Sequence, residues 1–531
     1  MKSFLNKAKA ALDDVKQQRF PPQVDGPPDR PSASSSIQPP TYADVIKYRY
    51  HHGTNLGSVF ALERWLTGSM FRDEFQGSSE LVAAEGWVKH EGIEKARERF
   101  EQHWKNYCSD ANLEWLRCHS GCTTIRLPIG YWTLGPAYCD HAPFKSVGPI
   151  YEHAWAMVKD VVKRCHDRGM GVVLDLHGVP GGANKGDHSG TNSGKAEFWD
   201  SRKNRNLATR CLCFIAQQAK SMEGVAGIQV VNESEYNAPH MYEWYEEVHK
   251  ELSSIDPTMP IYISDGWDLS RCAAWTQQKN TVQAHNASPL VVDTHLYWAY
   301  TDEDHKKSPQ QITGEVWSKL AEHELKDGSV LDRGAVQAIV GEYSTALDGT
   351  SWSLAGNQKS RDDLTREFGN AESWRFQQRA GGSFFWTYVM DWMPGGDWGF
   401  KHLTEQNAII RPKSLAMETA HVQPAVQRAH AEKDHRRGTT WGTHCQYWDT
   451  NHPGHYEHER FPQGWDVGFH DAMAFFEMRS KQNHSGTDKI GMLDLWILKR
   501  LRESGQSGKF VWEFEQGMRQ GVRDFYEVAG I

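Results

Sequence analysis

Residues 227–233 read GIQVVNE, a short run rich in β-branched residues that ends abruptly in an amide and a carboxylate, Asn232 and Glu233. A run of this length with glycine at its start reads as a buried strand, and the polar pair at its far end stands where a parallel sheet carries its chemistry. The same form recurs on both sides of it. Candidate strands fall at Tyr50–Leu56, Thr123–Leu127, Gly171–Leu176, Gly227–Asn232, Pro260–Ser264, Leu290–His295, Val336–Gly341 and Gly382–Thr387. Between them lie Glu94–Arg117, Ile150–Arg168, Met241–Leu252 and Pro309–Leu325, each long enough for the helix of a right-handed parallel crossover. Eight such units predict an α/β fold, a (β/α)8 TIM barrel, while periodicity alone leaves an open doubly wound sheet as the alternative.

The flanks differ in composition. Phe20–Pro40 is rich in Pro and Ser and poor in large apolar residues, so it cannot offset its ordering entropy by burial. Residues 1–41 are therefore expected to form a flexible leader, 42–417 the barrel, and 418–531 an extension of an aromatic loop and helices. The expected loop is HCQYWDTNHPGHYEHERFPQGW (444–465). GWDVGFHDAMAFF (464–476) and QGMRQGVRDFYEV (516–528) both space glycines four apart, on one helical face, and predict two closely approaching helices packed against the barrel.

Net charge is −9 with mixed signs along the chain, which excludes the basic footprint of a nucleic-acid partner. The 22 Trp suit a groove in which flat sugar faces stack on rings. Nine cysteines without paired CxxC spacing read as reduced thiols. Met1–Arg19 lacks the continuous apolar run of a secretory signal, and no stretch approaches the ~20 apolar residues of a membrane span. A cytoplasmic location is expected, with the mitochondrial intermembrane space as the alternative; nothing fixes an oligomeric state.

In a barrel the strands' C-terminal ends hold the site. The second ends IRLP with Arg126, the third LDLHG with His177, the fourth VVNE with Asn232 and Glu233. The sixth ends DTHLY with His295 and Tyr297, the seventh VGEYS with Glu342, and the eighth FFWTY with Trp386. A lone Glu at a strand end is ordinarily a salt-bridged residue, and a lone His or Trp is ordinarily core; six ends filled in this way call for a common purpose. Two carboxylates facing each other across a barrel mouth can break a glycosidic bond, Glu233 protonating the leaving oxygen while Glu342 attacks the anomeric carbon. Asn232 then bonds the sugar 2-hydroxyl, Arg126 and Tyr297 keep Glu342 ionised, His295 favours a protonated Glu233, and Trp386 floors the site.

These motifs resemble glycoside hydrolase family 5, in particular its fungal exo-β-1,3-glucanase-like branch, whose Arg, His, Asn-Glu, His-x-Tyr, Glu and Trp fall on Arg126, His177, Asn232, Glu233, His295, Tyr297, Glu342 and Trp386. GTNLGSVFALERWLT is similar to the branch's NLG…LE-x-W element, which implies that Asn55 and Glu63 bind the terminal glucose. In the tail, YWD, ERF-x-x-GW and FVWEFEQG resemble intracellular members, so the likeness runs from Tyr48 to Val528. It implies a retaining exo-β-glucosidase without a cofactor, acting on a carbohydrate or glucoside. One departure concerns substrate: Gly186 stands where secreted members carry a Phe clamp. Trp298 and Tyr300 in HLYWAYTDEDH resemble instead β-glucosidases of lipid glucosides, and Trp298 joins the candidate substrate contacts. Steryl glucoside or glucosylceramide hydrolysis, endo action, and a non-catalytic sugar-binding barrel are the alternatives; Glu63 as a cap on the terminal sugar favours exo action.

The remaining motifs carry less. Gly181–Lys195 fails the phosphate-loop spacing at Asp187 and at Ser189. His452, His455 and His458 are separated by Pro453-Gly454 and form no helical metal motif, so no metal site is expected.

Overall fold

The computed structural model describes residues 37–321 and 329–531. Most of the expected leader, residues 1–36, lies outside the described residues, as do 322–328, which take in the end of the helix expected over Pro309–Leu325. Eight parallel strands close into a barrel in sequence order: β1 His51–Asn55, β2 Thr124–Gly130, β3 Gly171–Gly178, β4 Val225–Gln229, β5 Ile261–Ser264, β6 Leu290–Trp298, β7 Ala338–Leu347 and β8 Gly382–Phe385. Closure is made by β8 on β1, with Gly382 opposite His51 and Phe385 opposite Thr54. That pairing removes the open-sheet alternative. Every residue of the first five strands is buried, as befits a sheet covered by crossover helices on its outside and packed within.

Sequence and structure differ at the ends of elements. Strands β6 and β7 run on past the expected stops at His295 and Gly341, to Trp298 and Leu347. The helix expected over Glu94–Arg117 breaks after Tyr107, because Ser109 turns its hydroxyl back to accept from Asn112 N–H and caps a new helix, Asp110–Trp115. The helix expected over Pro309–Leu325 holds only to Val316. The stretch read as an aromatic loop is mostly helical: one helix spans Thr419–Asn451 and the next Arg460–Lys481, leaving only 452–459 between them, where Pro453-Gly454 breaks the run.

The extension does more than cover the barrel's side. Inward side chains near the starts of six strands, Val173, Ala226, Tyr262, Val291, Ile339 and Phe384, share one apolar cluster with Val45 and Ile46 of the helix Tyr42–Tyr48 and with Phe475, Trp496 and Phe525 of the tail. The tail helices therefore close the end of the barrel opposite the strand termini that carry polar residues. Their own contact is made backbone to backbone. A Cβ on Gly464 would overlap the Phe514 carbonyl oxygen and one on Gly468 that of Met518, while Gly517 and Gly521 meet the carbonyls of Phe461 and Trp465 in return. The four-residue spacing of both glycine pairs is what allows Arg460–Lys481 and Val511–Ala529 to lie this close.

His458 fastens the same region. Its Nδ1 lies 2.7 Å from Glu513 and its Nε2 3.3 Å from Asp449, while His444 Nε2 approaches the same Glu513 oxygen at 2.9 Å. His452 and His455 stay at the surface and are not drawn into this group.

Replacing Gly517 by Ala is expected to destabilise the chain by about 1–3 kcal/mol or more through overpacking. Gly438→Ala, at an open position on the Thr419–Asn451 helix, should be neutral or stabilising by up to ~1 kcal/mol. Urea unfolding midpoints of the two variants decide this.

Candidate active site

At the strands' C-terminal ends a cavity of about 650 Å³ opens to solvent, lined by Glu63, Trp65, His177, His188, Asn232, Glu233, Trp267, His295, Tyr297, Tyr300, Glu342, Trp386 and Trp398 among others. Most of the residues singled out from the sequence converge here from five strand ends and the loop after β1.

Beneath the cavity sits Arg126, wholly buried on β2. Its guanidinium donates from Nε to Gln229 Oε1 at 2.8 Å, from Nη1 to Asn55 Oδ1 and Glu342 Oε1, both at 2.8 Å, and from Nη2 to Asn232 Oδ1 at 2.7 Å. Asp175 lies 3.0 Å from the same Nη2. The planar fork thereby fixes five residues from four other strands or their ends at once. Burial opposes its charge, and the carboxylates of Asp175, Glu342 and Asp293 outweigh burial and raise its pKa.

Glu342, within β7, accepts from Arg126 on Oε1 and from the Tyr297 hydroxyl on Oε2 at 2.9 Å. Both oxygens are thus held by donors, one of them charged, in short and strong hydrogen bonds. Glu233 follows the end of β4 with φ +43°, a left-handed conformation that a non-glycine residue adopts at a cost of about 1–3 kcal/mol. Its Oε1 lies 2.8 Å from His295 Nδ1 and its Oε2 3.1 Å from His188 Nε2. One oxygen of Glu233 and one of Glu342 approach within 4.8 Å of each other, with His295 between them.

His177 and His295 are each oriented by an aspartate two residues earlier on the same strand. His177 Nδ1 meets Asp175 at 2.8 Å, and its Nε2 accepts from the Asn232 amide at 3.4 Å. His295 Nε2 meets Asp293 at 3.1 Å. The expected role of His295 is reversed. With Asp293 on one nitrogen and Glu233 on the other, it is held as a cation: burial works against the charge, but Glu342 and Asp293 overcome it and raise its pKa well above the ordinary histidine value. Glu233 is driven the opposite way. Burial would raise its pKa, yet His188 and His295 lower it well below the usual carboxylate range.

Two further expectations change. Asn55 is fully buried and does not face the cavity; its amide donates to the Gly341 carbonyl at 2.9 Å and its Oδ1 receives Arg126, so it braces the arginine instead of binding a ligand. Trp298 is only 2 % exposed and turns into a cluster with Ile312, Val316 and Phe368, giving the cavity a wall with little stacking surface. Glu63 does reach the cavity, where Trp65 Nε1 donates to it at 2.9 Å; burial raises its pKa. Trp386 lines the cavity, its ring 5.8 Å from and nearly parallel to that of His177.

Sequence reasoning missed His188, Asp175, Asp293, Trp267 and Trp398. A signal existed for the aspartates: LDLH and VDTH both place Asp two residues before His, hence on the same strand face. None existed for His188, which reaches the cavity from the loop after β3.

Arg126→Met leaves Asp175, Asp293 and Glu342 without their shared cation. Stability is expected to fall by roughly 3–5 kcal/mol at neutral pH. Chemical denaturation at pH 7 measures the loss.

Comparison with known proteins adds the following. The family described as Cellulase (glycosyl hydrolase family 5) matches residues 88–375, and that described as Glucan 1,3-beta-glucosidase 3 C-terminal domain matches 429–529. Glucan 1,3-beta-glucosidase 3 of Schizosaccharomyces pombe is 32 % identical over 480 residues, covering 90 % of this chain and 95 % of that protein. An uncharacterized glycosyl hydrolase of Saccharomyces cerevisiae is 28 % identical over 499 residues, 91 % of this chain and 92 % of its own. Among solved structures, rutinosidase from Aspergillus niger superposes with a TM-score of 0.52 at 17 % identity, covering 69 % of this chain and 99 % of that one, a likeness of fold.

Proposed function

Because the chain belongs to glycosyl hydrolase family 5, we propose that it is a retaining exo-β-glucosidase that removes a terminal β-linked glucose, as from a β-1,3-glucan. The observation that carries this reading is the approach of one Glu233 oxygen to within 4.8 Å of one Glu342 oxygen, both residues lining the cavity. Retaining enzymes hold their two carboxyl groups about 5–5.5 Å apart, whereas inverting enzymes leave roughly 6.5–9.5 Å for a water molecule. Glu342, clasped by Arg126 and Tyr297, attacks the anomeric carbon. Glu233 protonates the departing oxygen and then takes the proton of the water that releases the sugar. Glu63 in the cavity wall supports exo action, since a carboxylate there can bind the hydroxyls of a sugar with no further residue beyond it.

A second reading, a β-glucosidase of lipid glucosides, draws on the cavity's mouth. Trp267 and Tyr300 line it while remaining 50 % and 67 % exposed, a large apolar aromatic surface offered to whatever follows the glucose. Steroid or acyl groups would fit that surface as well as the flat face of a second sugar. We place the protein in a reducing compartment, the cytoplasm first: all nine cysteines are free thiols and six are buried in apolar surroundings.

Purified protein should release chromophore from an aryl β-glucoside, and proton NMR should show β-glucose as the first anomer formed. Glu342→Gln should lower turnover on the order of a thousandfold or more with the fold intact. First appearance of α-glucose would overturn the retaining assignment. Glucose liberated from laminarin oligosaccharides but not from steryl glucoside or glucosylceramide would favour the first reading over the second.

A further inference from the structure

Each oxygen of Glu233 has an imidazole beside it: Oε1 is hydrogen-bonded to His295 Nδ1, and Oε2 lies 3.1 Å from His188 Nε2, a buried nitrogen that makes no hydrogen bond of its own. A general acid needs one oxygen free to meet the leaving group, so one imidazole must yield. His295 is poorly suited. Its side chain is 4 % exposed, Asp293 holds its second nitrogen, and its Nδ1 also lies 3.5 Å from Glu342, so its charge is fixed among three carboxylates. His188 is on the open side, its side chain 28 % exposed and facing the same cavity as Trp267 and Tyr300.

Resting on the glucosidase reading, we propose that His188 is the proton partner of Glu233, handing its Nε2 proton to Oε2 as the glycosidic oxygen arrives and recovering it from the hydrolytic water. In the first half-reaction the anomeric carbon–oxygen bond breaks, a bond to Glu342 forms, and the leaving oxygen takes the one proton that His188 has passed to Oε2, leaving His188 neutral and Glu233 a carboxylate. In the second, water attacks the anomeric carbon and the bond to Glu342 breaks. The proton of that water passes through Oε2 back to His188, so the pair ends as it began.

The loop is built to hold this geometry. Asn184 Nδ2 donates to the Glu233 carbonyl at 2.9 Å, and Asn184 Oδ1 accepts from Gly186 N–H at 2.8 Å, tying the loop to the residue it serves. Gly178 and Gly190 sit against the Trp132 ring so closely that a Cβ on either would overlap it, and Trp132 itself stacks on Phe144 at 4.0 Å. The charged groups facing His188 are Glu233, Glu63 and Glu342, with the His177 ring 5.9 Å away. Burial disfavours the imidazolium, but the Glu233 contact and these carboxylates outweigh burial and lift it to about 9. The two opposite shifts favour a proton on His188 over one on Glu233 near neutrality.

His188→Asn keeps a donor on Glu233 but cannot exchange a proton. Full-length wild type and variant are compared on 2,4-dinitrophenyl β-glucoside, whose leaving group needs no acid, and on methyl β-glucoside, whose leaving group does. The variant should lose about ten- to a hundredfold in kcat on the methyl glucoside and less than about twofold on the dinitrophenyl one. The alkaline limb of its kcat/KM profile should move acidward by about one pH unit or more. His188→Gln, run alongside and matched to wild type by thermal melting, guards against misplacement of the shorter amide. Equal losses on both glucosides, or an unmoved alkaline limb, would overturn the relay and leave His188 a structural clasp. Wild type that hydrolyses neither glucoside would overturn the glucosidase reading and the relay together.

Discussion

One buried guanidinium organises the barrel's working end. Arg126 has no exposed surface, and its donors are spent on side chains that β1, β3, β4 and β7 and the segment after β4 bring to the axis. A cation in that position is costly to desolvate, and only the ring of amides and carboxylates around it makes burial tolerable. The dependence runs both ways. Without Arg126 the Asp175 and Glu342 carboxylates would lose the cation they share, and the side-chain oxygens of Asn55 and Asn232 would lose their donor. Closure of the barrel is what brings these groups within reach of one side chain, so fold and site share a single electrostatic requirement.

From that centre the two glutamates diverge. Glu342 is embraced by permanent donors, a guanidinium and a phenol, neither of which yields a proton near neutrality. Glu233 is embraced by imidazoles, which do. A nucleophile benefits from partners that keep it anionic, and an acid/base benefits from partners that exchange protons with it. The left-handed backbone of Glu233 belongs to the same division: the chain turns off the end of β4 so that its carboxylate faces His295 and His188 at once.

Much of this was legible in the sequence, for an identifiable reason. Strand interiors had to be apolar, so any polar side chain at a strand's end stood out, and Arg126, His177, Asn232, Glu233, His295, Glu342 and Trp386 all appeared in that way. Asp175 and Asp293 were hidden because each lies inside a run read as uniformly apolar, although its Asp-x-His spacing marks it. Asn55 was visible but its direction was not; only the closed barrel shows its amide turned toward Arg126 and the Gly341 carbonyl. His188 was beyond reach, since its place depends on how a glycine-rich loop settles against Trp132, which no local pattern encodes. In the tail the glycine spacing gave the helix pair its contact, while clustered turn-formers around Pro453 disguised the helical stretch before them.

The tail's position bears on why it exists at all. A TIM barrel is open at both ends, and the end away from the site must be filled by side chains or covered. Here the first inward layer includes polar groups, His51 meeting Thr124 at 2.7 Å and Tyr262 at 3.2 Å, which burial keeps neutral by pushing His51 down to about 3. An uncharged polar layer of that kind persists only if water is kept from it. The helix Tyr42–Tyr48 and the tail helices supply the exclusion, in one apolar cluster with Val173, Ile339 and Phe384. That seal is anchored where the Arg460–Lys481 and Val511–Ala529 backbones touch, so four glycines far from any substrate help to keep the lower barrel dry and the strands above it, with Arg126 and both glutamates, in register.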